Sequence, residues 1–397
     1  KGWEEEVVMR FARFQLVSTT WRTYRDYLGV ESDTLITDPQ PGSTFEIGTV
    51  NIEENASRQP FPYLMPPGIV RQQQVATMQP GLLQNEQSLV MKTCGLQDGD
   101  ARGAFKLTNF DMRSYRRVKM WIHAEEVAGN PDWADGDLRA FVRLGSDNSV
   151  NYYEYEIPLV ASAPNGDLLD TLNIWANNLE FNLEDLPVAK AARNSANFPV
   201  VNRFTYEQPG FLPDGHRITV VGTPKISEVK TILIGIRNEN DGRGPICAEV
   251  WMNELRLVDF NEEPGWAANA RVRVKLADFG NVTASGSYRT PGFGTLEQRI
   301  NNRSRETTSQ WDVAGDFQLG KFFPKNWGIQ LPLYVTYGEQ EITPQFNPLE
   351  ADVPVNNFLI SLEESARDTV LDALRDKRVN KSISLNNVRK VKVTPPG

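Results

Sequence analysis

Residues 270–288, ARVRVKLADFGNVTASGSY, decide how this chain is read. Val272, Val274 and Leu276 alternate with Arg271, Arg273 and Lys275. A Phe279-Gly280-Asn281 turn signal follows, and then Val282, Ala284, Gly286 and Tyr288 alternate with Thr283, Ser285 and Ser287. Period-two alternation on both sides of a turn predicts a β-hairpin with one apolar and one polar face.

Downstream, a polar loop at 290–308 leads into Trp311, Val313, Gly315, Phe317 and Leu319, alternating with Asp312, Ala314, Asp316 and Gln318. Past 321–328, Ile329, Leu331, Leu333, Val335 and Tyr337 repeat the pattern, which predicts a second hairpin. Strands of about nine to eleven residues can cross a bilayer when tilted, and connections running short, long, short match outer-membrane barrels. On that reading Arg271, Arg273, Lys275, Asp312 and Asp316 face a wet pore. Phe279, Phe322, Phe323 and Trp327 then lie at the short-turn end, at the membrane interface. Four strands cannot close a barrel, and an open edge in lipid leaves backbone groups unpaired at several kcal/mol each, so partner strands must come from elsewhere. The same alternation also fits two ordinary hairpins of a water-soluble sandwich.

Strand parity puts the segment before the first hairpin on the long-loop, extracellular side. The excursion after Tyr337 emerges there too, with a predicted helix over 359–378 carrying Leu362, Val370, Leu371 and Leu374, and a new strand near Ser382.

Upstream, 1–263 reads as many short strands: FQLVST, SLVMKTC, NYYEYEIPL, RITVVG, TILIGIR and AEVWMNELRLVDF, with Val118, Met120, Ile122 and Leu138, Ala140, Val142, Leu144 in further alternating runs. Only 182–193 looks helical, and the proline-bearing stretch 52–81 reads as a long irregular crossing. The expected class is all-β: a jelly-roll-like antiparallel sandwich over 1–263 on the extracellular cap side, transmembrane β-barrel strands of a partial barrel over 264–340, a helical loop insertion over 341–381, and the next strand from 382 to 397.

A formal net charge of -9 excludes nucleic-acid binding, which needs clustered cations. The longest conspicuous apolar run, Thr231 to Ile236, is only strand-sized, so no transmembrane helix is expected. The opening Lys1-Gly2-Trp3, without initiator Met or apolar leader, reads as an internal or processed piece. Cys94 and Cys247 can form one disulfide if their strands are neighbours, or stay as two buried thiols.

The runs DMRSYRRVKMWIHAEE, GDLRAFVRLGSDNSVNYYEYEIPL, CAEVWMNELRLVDF, LADFGNVTASGSY and NWGIQLPLYVTYGEQEITPQFNPL, with NIEEN and PPGI near the start and SISLNNVRK near the end, resemble the SprA (Sov) family. Its members are outer-membrane translocons of type IX secretion, needed for gliding motility in species that glide. The resemblance implies an interior slice of a much longer chain that forms a very large single-chain barrel for folded cargo. It also implies partners: the remainder of the same chain, a PorV-type outer-membrane barrel, a periplasmic plug protein, secreted cargo and outer-membrane lipid. The location implied is the outer membrane, with extracellular and periplasmic portions exposed. No catalytic motif carries over.

Chemistry is otherwise sparse. His123 and His216 give little material for a triad or a multi-histidine metal site, and both read as structural. Residues 290–294, Thr-Pro-Gly-Phe-Gly, lack the Lys and the strand-to-helix setting of a phosphate loop. Asp132, Asp135 and Asp137 could offer oxygens to a calcium ion, the one cofactor considered; their spacing departs from an EF-hand loop, and Asp135-Gly136-Asp137 is also turn chemistry. Trp121, Trp133, Tyr152, Tyr153, Tyr155 and Trp175 could be core or a sugar-stacking surface, and the alternation of the tyrosines predicts that some are exposed or at an interface. The expected role is non-enzymatic transport of folded proteins through a channel. The alternative is a soluble cell-surface carbohydrate-binding jelly-roll protein.

Overall fold

The computed structural model describes residues 20–26, 28–29, 42–71, 73, 83–127, 133–163, 170–239, 241–261, 264–295, 297–298, 303–360 and 363–392. It forms two compact units: Lys1–Met112 with Arg116–Pro224 and Glu228–Val258, and Arg113–Tyr115 with Lys225–Ser227 and Asp259–Gly397.

The first unit carries β1 (Arg22–Thr23), β2 (Thr44–Asn51), β3 (Gln87–Leu96), β4 (Ala101–Phe110), β5 (Tyr115–Glu126), β6 (Leu138–Gly145), β7 (Tyr152–Pro158), β8 (Asn177–Asn182), β9 (Phe204–Tyr206), β10 (Arg217–Val221), β11 (Val229–Asn238) and β12 (Ile246–Phe260). Short helices α1 (Ile52–Asn55) and α2 (Thr171–Ile174) join the longer α3 (Asp185–Ser195). One sheet has the order β1-β4-β11-β6-β7-β10-β9 and the other β2-β3-β12-β5-β8. The successive strands β3, β4, β5 and β6 alternate between the sheets, a jelly-roll-like crossing. The FQLVST segment lies outside the described residues.

The alternation has a physical outcome that the sequence does not announce: the sheets are covered on their outer faces as well as between them. Between them, Tyr155 of β7 stacks on Phe181 of β8 at 4.2 Å, with Met120, Ile122, Val142 and Ile234 fully buried around them. On the outer face of the smaller sheet, Trp251 packs with Phe61 and Tyr63 of the 52–71 crossing and with Trp175 after α2. On the outer face of the larger sheet, Leu28 joins Ala101, Phe141 and Leu233. Tyr152, Tyr153 and Tyr155 are all buried, so of the two expectations, exposure or an interface, exposure does not hold; Trp133 and Trp175 are buried as well. Cys94 of β3 and Cys247 of the neighbouring β12 form a disulfide where the pairing register shifts.

The second unit is a meander of β13 (Ala267–Leu276), β14 (Gly280–Arg289), β15 (Glu306–Gln318), β17 (Pro332–Pro344) and β18 (Asp376–Leu385), each antiparallel to the next. Beyond its end, β16 (Ile329–Gln330) pairs with β19 (Arg389–Lys390). The turn of the first hairpin is Ala277-Asp278-Phe279, not Phe279-Gly280-Asn281: Leu276 pairs with Gly280, and Ala277 takes the positive φ of 48°. Gly280 is required inside the strand, because a Cβ there would come 2.3 Å from the Asp316 carbonyl oxygen of β15. The helix expected over 359–378 is instead α4 (Val355–Ile360) and α5 (Glu364–Leu374), and the next strand starts at Asp376 rather than Ser382. Glu363 is extended and cannot continue a helix through that point. At the other end, register with β17, Ile342 opposite Asp376, captures residues that helical spacing alone assigned to the helix. Leu362 lies outside the described residues.

Candidate functional site

The candidate site is the five-stranded sheet itself. In antiparallel pairing, directly opposed residues share a face, so register converts sequence into surface. One row across the sheet reads Val274, Val282, Gly315, Val335, Ile383; the next toward the short turn reads Leu276, Gly280, Phe317, Leu333, Leu385. On the opposite face the rows are Arg273, Thr283, Ala314, Thr336, Ser382 and Lys275, Asn281, Asp316, Tyr334, Ser384. Arg271, Ser285 and Asp312 extend that polar face. All five residues expected to face a pore therefore share one surface, where the Asn281 amide donates to Asp316 at 3.2 Å and the Gln310 amide to Asp312 at 3.0 Å.

The sheet is a single layer. Its only buried positions are the glycines Gly280, Gly315 and Gly338. Val272 is 59% exposed and Ile383 76% exposed, whereas strand residues of the first unit such as Val142 and Ile236 are fully buried. Gly315 has a packing role on the apolar face: a Cβ there would strike the Phe317 ring at 2.5 Å, so its absence lets the ring lie along the strand.

The four aromatic residues expected at the interface gather at the short-turn end. Phe279 meets Phe322 edge-on at 5.1 Å, and Phe323 stacks with Trp327 at 6.1 Å. Phe322 is 74% exposed. In the adjoining turn, the Lys321 ammonium pairs with Asp278 and holds its carboxyl below the usual range. Missed in the sequence was a second aromatic pair at the other end, Trp266 with Tyr288 at 5.0 Å, followed toward the middle of the sheet by Trp311 with Tyr337 at 5.0 Å. Counting positions back from the turn would have found it. Eight residues separate Gly280 from Tyr288, about 27 Å along a strand, or about 21 Å of depth at a tilt of about 40°. That is close to the roughly 25 Å apolar band between aromatic girdles of membrane barrels.

Also missed were charges on the apolar face near the long connections: Glu339 with Lys377 at 2.6 Å and Glu341 with Arg375 at 3.0 Å. Lys381 stands midway along the same face, with its ammonium 5.2 Å over the Tyr337 ring.

The remaining candidates are structural in setting. Asp132 lies outside the described residues. Asp135 accepts from the Ala161 N–H at 3.2 Å, and Asp137 accepts from the Ala134 N–H at 2.8 Å and pairs with Arg243, so these carboxylates serve the turn. Among the described residues, no three His, Cys, Asp or Glu side chains gather as a metal site. His123 is fully buried, with Nδ1 2.8 Å from the Ile174 carbonyl oxygen and 2.9 Å from the Ser162 hydroxyl. His216 Nδ1 lies 2.8 Å from the Tyr155 hydroxyl. Among the described residues no helix is long and apolar enough to cross a membrane.

Fold and surface together define an all-β protein that joins a multilayered sandwich to a single-layer sheet with one exposed apolar face and one charged face. The chain belongs to the SprA_N family of motility related/secretion proteins, whose family model matches residues 1–359. That membership fits a cell-envelope protein. No curated protein matches the sequence.

Proposed function

We propose that the second unit is part of the wall of an outer-membrane channel that exports folded proteins by type IX secretion, a non-enzymatic role in which the pore gates sterically and electrostatically. The observation that carries this reading is the exposed apolar face of a one-layer sheet, backed by a charged face at the same register. In water, such a face would leave several large side chains without the burial that stabilises a fold, at about 25 cal/mol per Å² of apolar surface. Against hydrocarbon the same face is satisfied, and the backbone is already paired within the meander.

β13 and β18 have no outer neighbour among the described residues, so the remainder of a longer chain would complete the barrel. The chain enters β13 at the end that carries both long connections, which by parity is the extracellular side. The family resemblance supplies the further partners: a PorV-type barrel, a periplasmic plug protein and secreted cargo.

Single cysteines in vesicles carrying the assembled protein, made in a background without Cys94 and Cys247, test this. Arg273→Cys and Asp316→Cys should react with charged, water-soluble thiol reagents, while Val274→Cys and Val335→Cys should react only with membrane-soluble ones. Equal labelling on both faces, or a parent protein that stays soluble without detergent, would overturn the reading.

A further inference from the structure

The first unit has a cavity that neither the channel reading nor the family accounts for. It opens at one end of the sandwich, between the two sheets, with a volume of about 280 Å³. Its floor is Leu89, Met120, Ile234 and Met252, all buried beneath the walls. Its walls include Thr49 and Gln87, neutral groups that both donate and accept hydrogen bonds, together with Ser88 and Asn253, whose side chains are engaged with Tyr63. At the mouth stand Trp21, Lys106 and Glu254.

Lys106 is the unusual member. It projects from β4, and its ammonium lies 4.8 Å over the Trp21 ring, its one contact among the described residues. Burial without a partner pushes its pKa below the usual lysine range. The other charges nearby are occupied. Glu254, held in the left-handed region at φ 55°, has Arg256 at 3.7 Å, and Glu86 is taken by the Tyr63 hydroxyl and the Asn253 amide. An anion entering the cavity would therefore meet one unpaired cation.

The rest of the lining decides what carries the anion. Leu89, Met120, Ile234 and Met252 are buried, and only Trp21 and Leu255 of the apolar lining are partly exposed, so an aliphatic or aromatic tail is offered little apolar surface. Hydroxyl and amide groups beside a flat indole suit the alternating hydroxyls and the C–H face of a sugar ring. The volume falls just below the range of about 300–1,000 Å³ for drug-sized ligands, which limits the occupant to roughly one ring. We propose that this cavity binds a single carboxylate-bearing sugar, a hexuronate, with its carboxylate on Lys106, its ring beside Trp21, and its hydroxyls on Thr49 and Gln87. Every lining residue belongs to the first unit, so the site stands or falls independently of the channel reading.

D-Glucuronate is the probe, with D-glucose and lactate as the sugar without the charge and the charge without the sugar. Saturation-transfer NMR on the full chain in detergent should show transfer to glucuronate at concentrations where glucose and lactate give none. Lys106→Gln should weaken glucuronate binding tenfold or more. Glu254→Gln should tighten it several-fold by removing a like charge at the mouth, a gain that misfolding does not produce. Absence of glucuronate binding, unchanged affinity in both variants, or equal binding of glucose or lactate would overturn the proposal.

Discussion

Glu154 shows what alternation can hide. On β6, Arg139 and Arg143 occupy the positions that a sandwich strand gives to solvent, yet both are almost fully buried. They are neutralised from β7 and beyond: Arg143 meets Glu154 at 2.6 Å, Arg139 meets Glu156 at 2.6 Å, and Arg237 reaches both carboxylates at 2.9 and 3.1 Å. Burial alone would raise the Glu154 pKa, but Arg203, Arg237 and Arg143 outweigh it and hold the carboxyl well below its ordinary range. Removing one partner of a buried pair strands the others, at a cost of about 3–5 kcal/mol. Glu154→Gln should therefore lower unfolding stability by about that much at neutral pH, measured by denaturant titration of the near-ultraviolet signal. Because the folded-state pKa is depressed, the contribution is complete above the ordinary carboxylate pKa of about 4.3 and is lost as pH falls through the folded value. The variant should accordingly show a flatter acid limb than the parent, and matching limbs would sink the assignment. Sequence spacing marked the arginines as polar positions; nothing local could say that their partners lay on another strand and that a further layer covered them.

At the level of elements, strand existence was legible because period-two patterning is local, while the start of β18 at Asp376 was not, since only pairing with β17 stops α5 at Leu374. The disulfide was similarly undecided: both cysteines sat in strand-like runs, but only the β3–β12 pairing brings them together. It closes a loop 153 residues apart in sequence, so its loss is expected to cost about 2–5 kcal/mol. Reduction should lower the melting temperature of the first unit, and alkylation under unreduced, denaturing conditions should leave both thiols unlabelled; labelling of both would refute the bridge. The two faces of β14 make a second contrast. Val282→Arg places a charge near the middle of the apolar face and should cost about 2–4 kcal/mol of membrane stability. Its neighbour Thr283→Arg points to the polar side and should be nearly neutral. If reversible unfolding in lipid gives equal losses for the pair, the apolar face does not meet hydrocarbon.

At the scale of the whole molecule, β13 and β18 are the outer strands of the five-stranded sheet and have no outer neighbour among the described residues. Unpaired strand edges in hydrocarbon are prohibitive, so the proposed channel wall requires neighbours for β13 and β18 in the assembled protein. Lys381 sharpens this at the β18 edge. Its row, with Val272, Ala284, Val313 and Tyr337, lies four residues from both the Gly280 row and the Tyr288 row, which is the middle of the apolar span. An exposed lysine at that depth would cost about 2–4 kcal/mol in lipid; one aromatic ring at 5.2 Å offsets only about 1–2 of that, and the nearby Glu339 carboxylate is already paired with Lys377. The face of the wall is therefore expected to leave the hydrocarbon at β18, with water or polar groups of a neighbouring strand meeting the ammonium. In vesicles bearing the assembled protein, again without the native cysteines, Lys381→Cys should react with a charged thiol reagent. Val313→Cys, in the same row at the same depth, should not. If both stay silent while Arg273→Cys labels normally, Lys381 lies in lipid and the wall continues unbroken past β18; if both label, the middle of the sheet is wet and its apolar face has no hydrocarbon to meet.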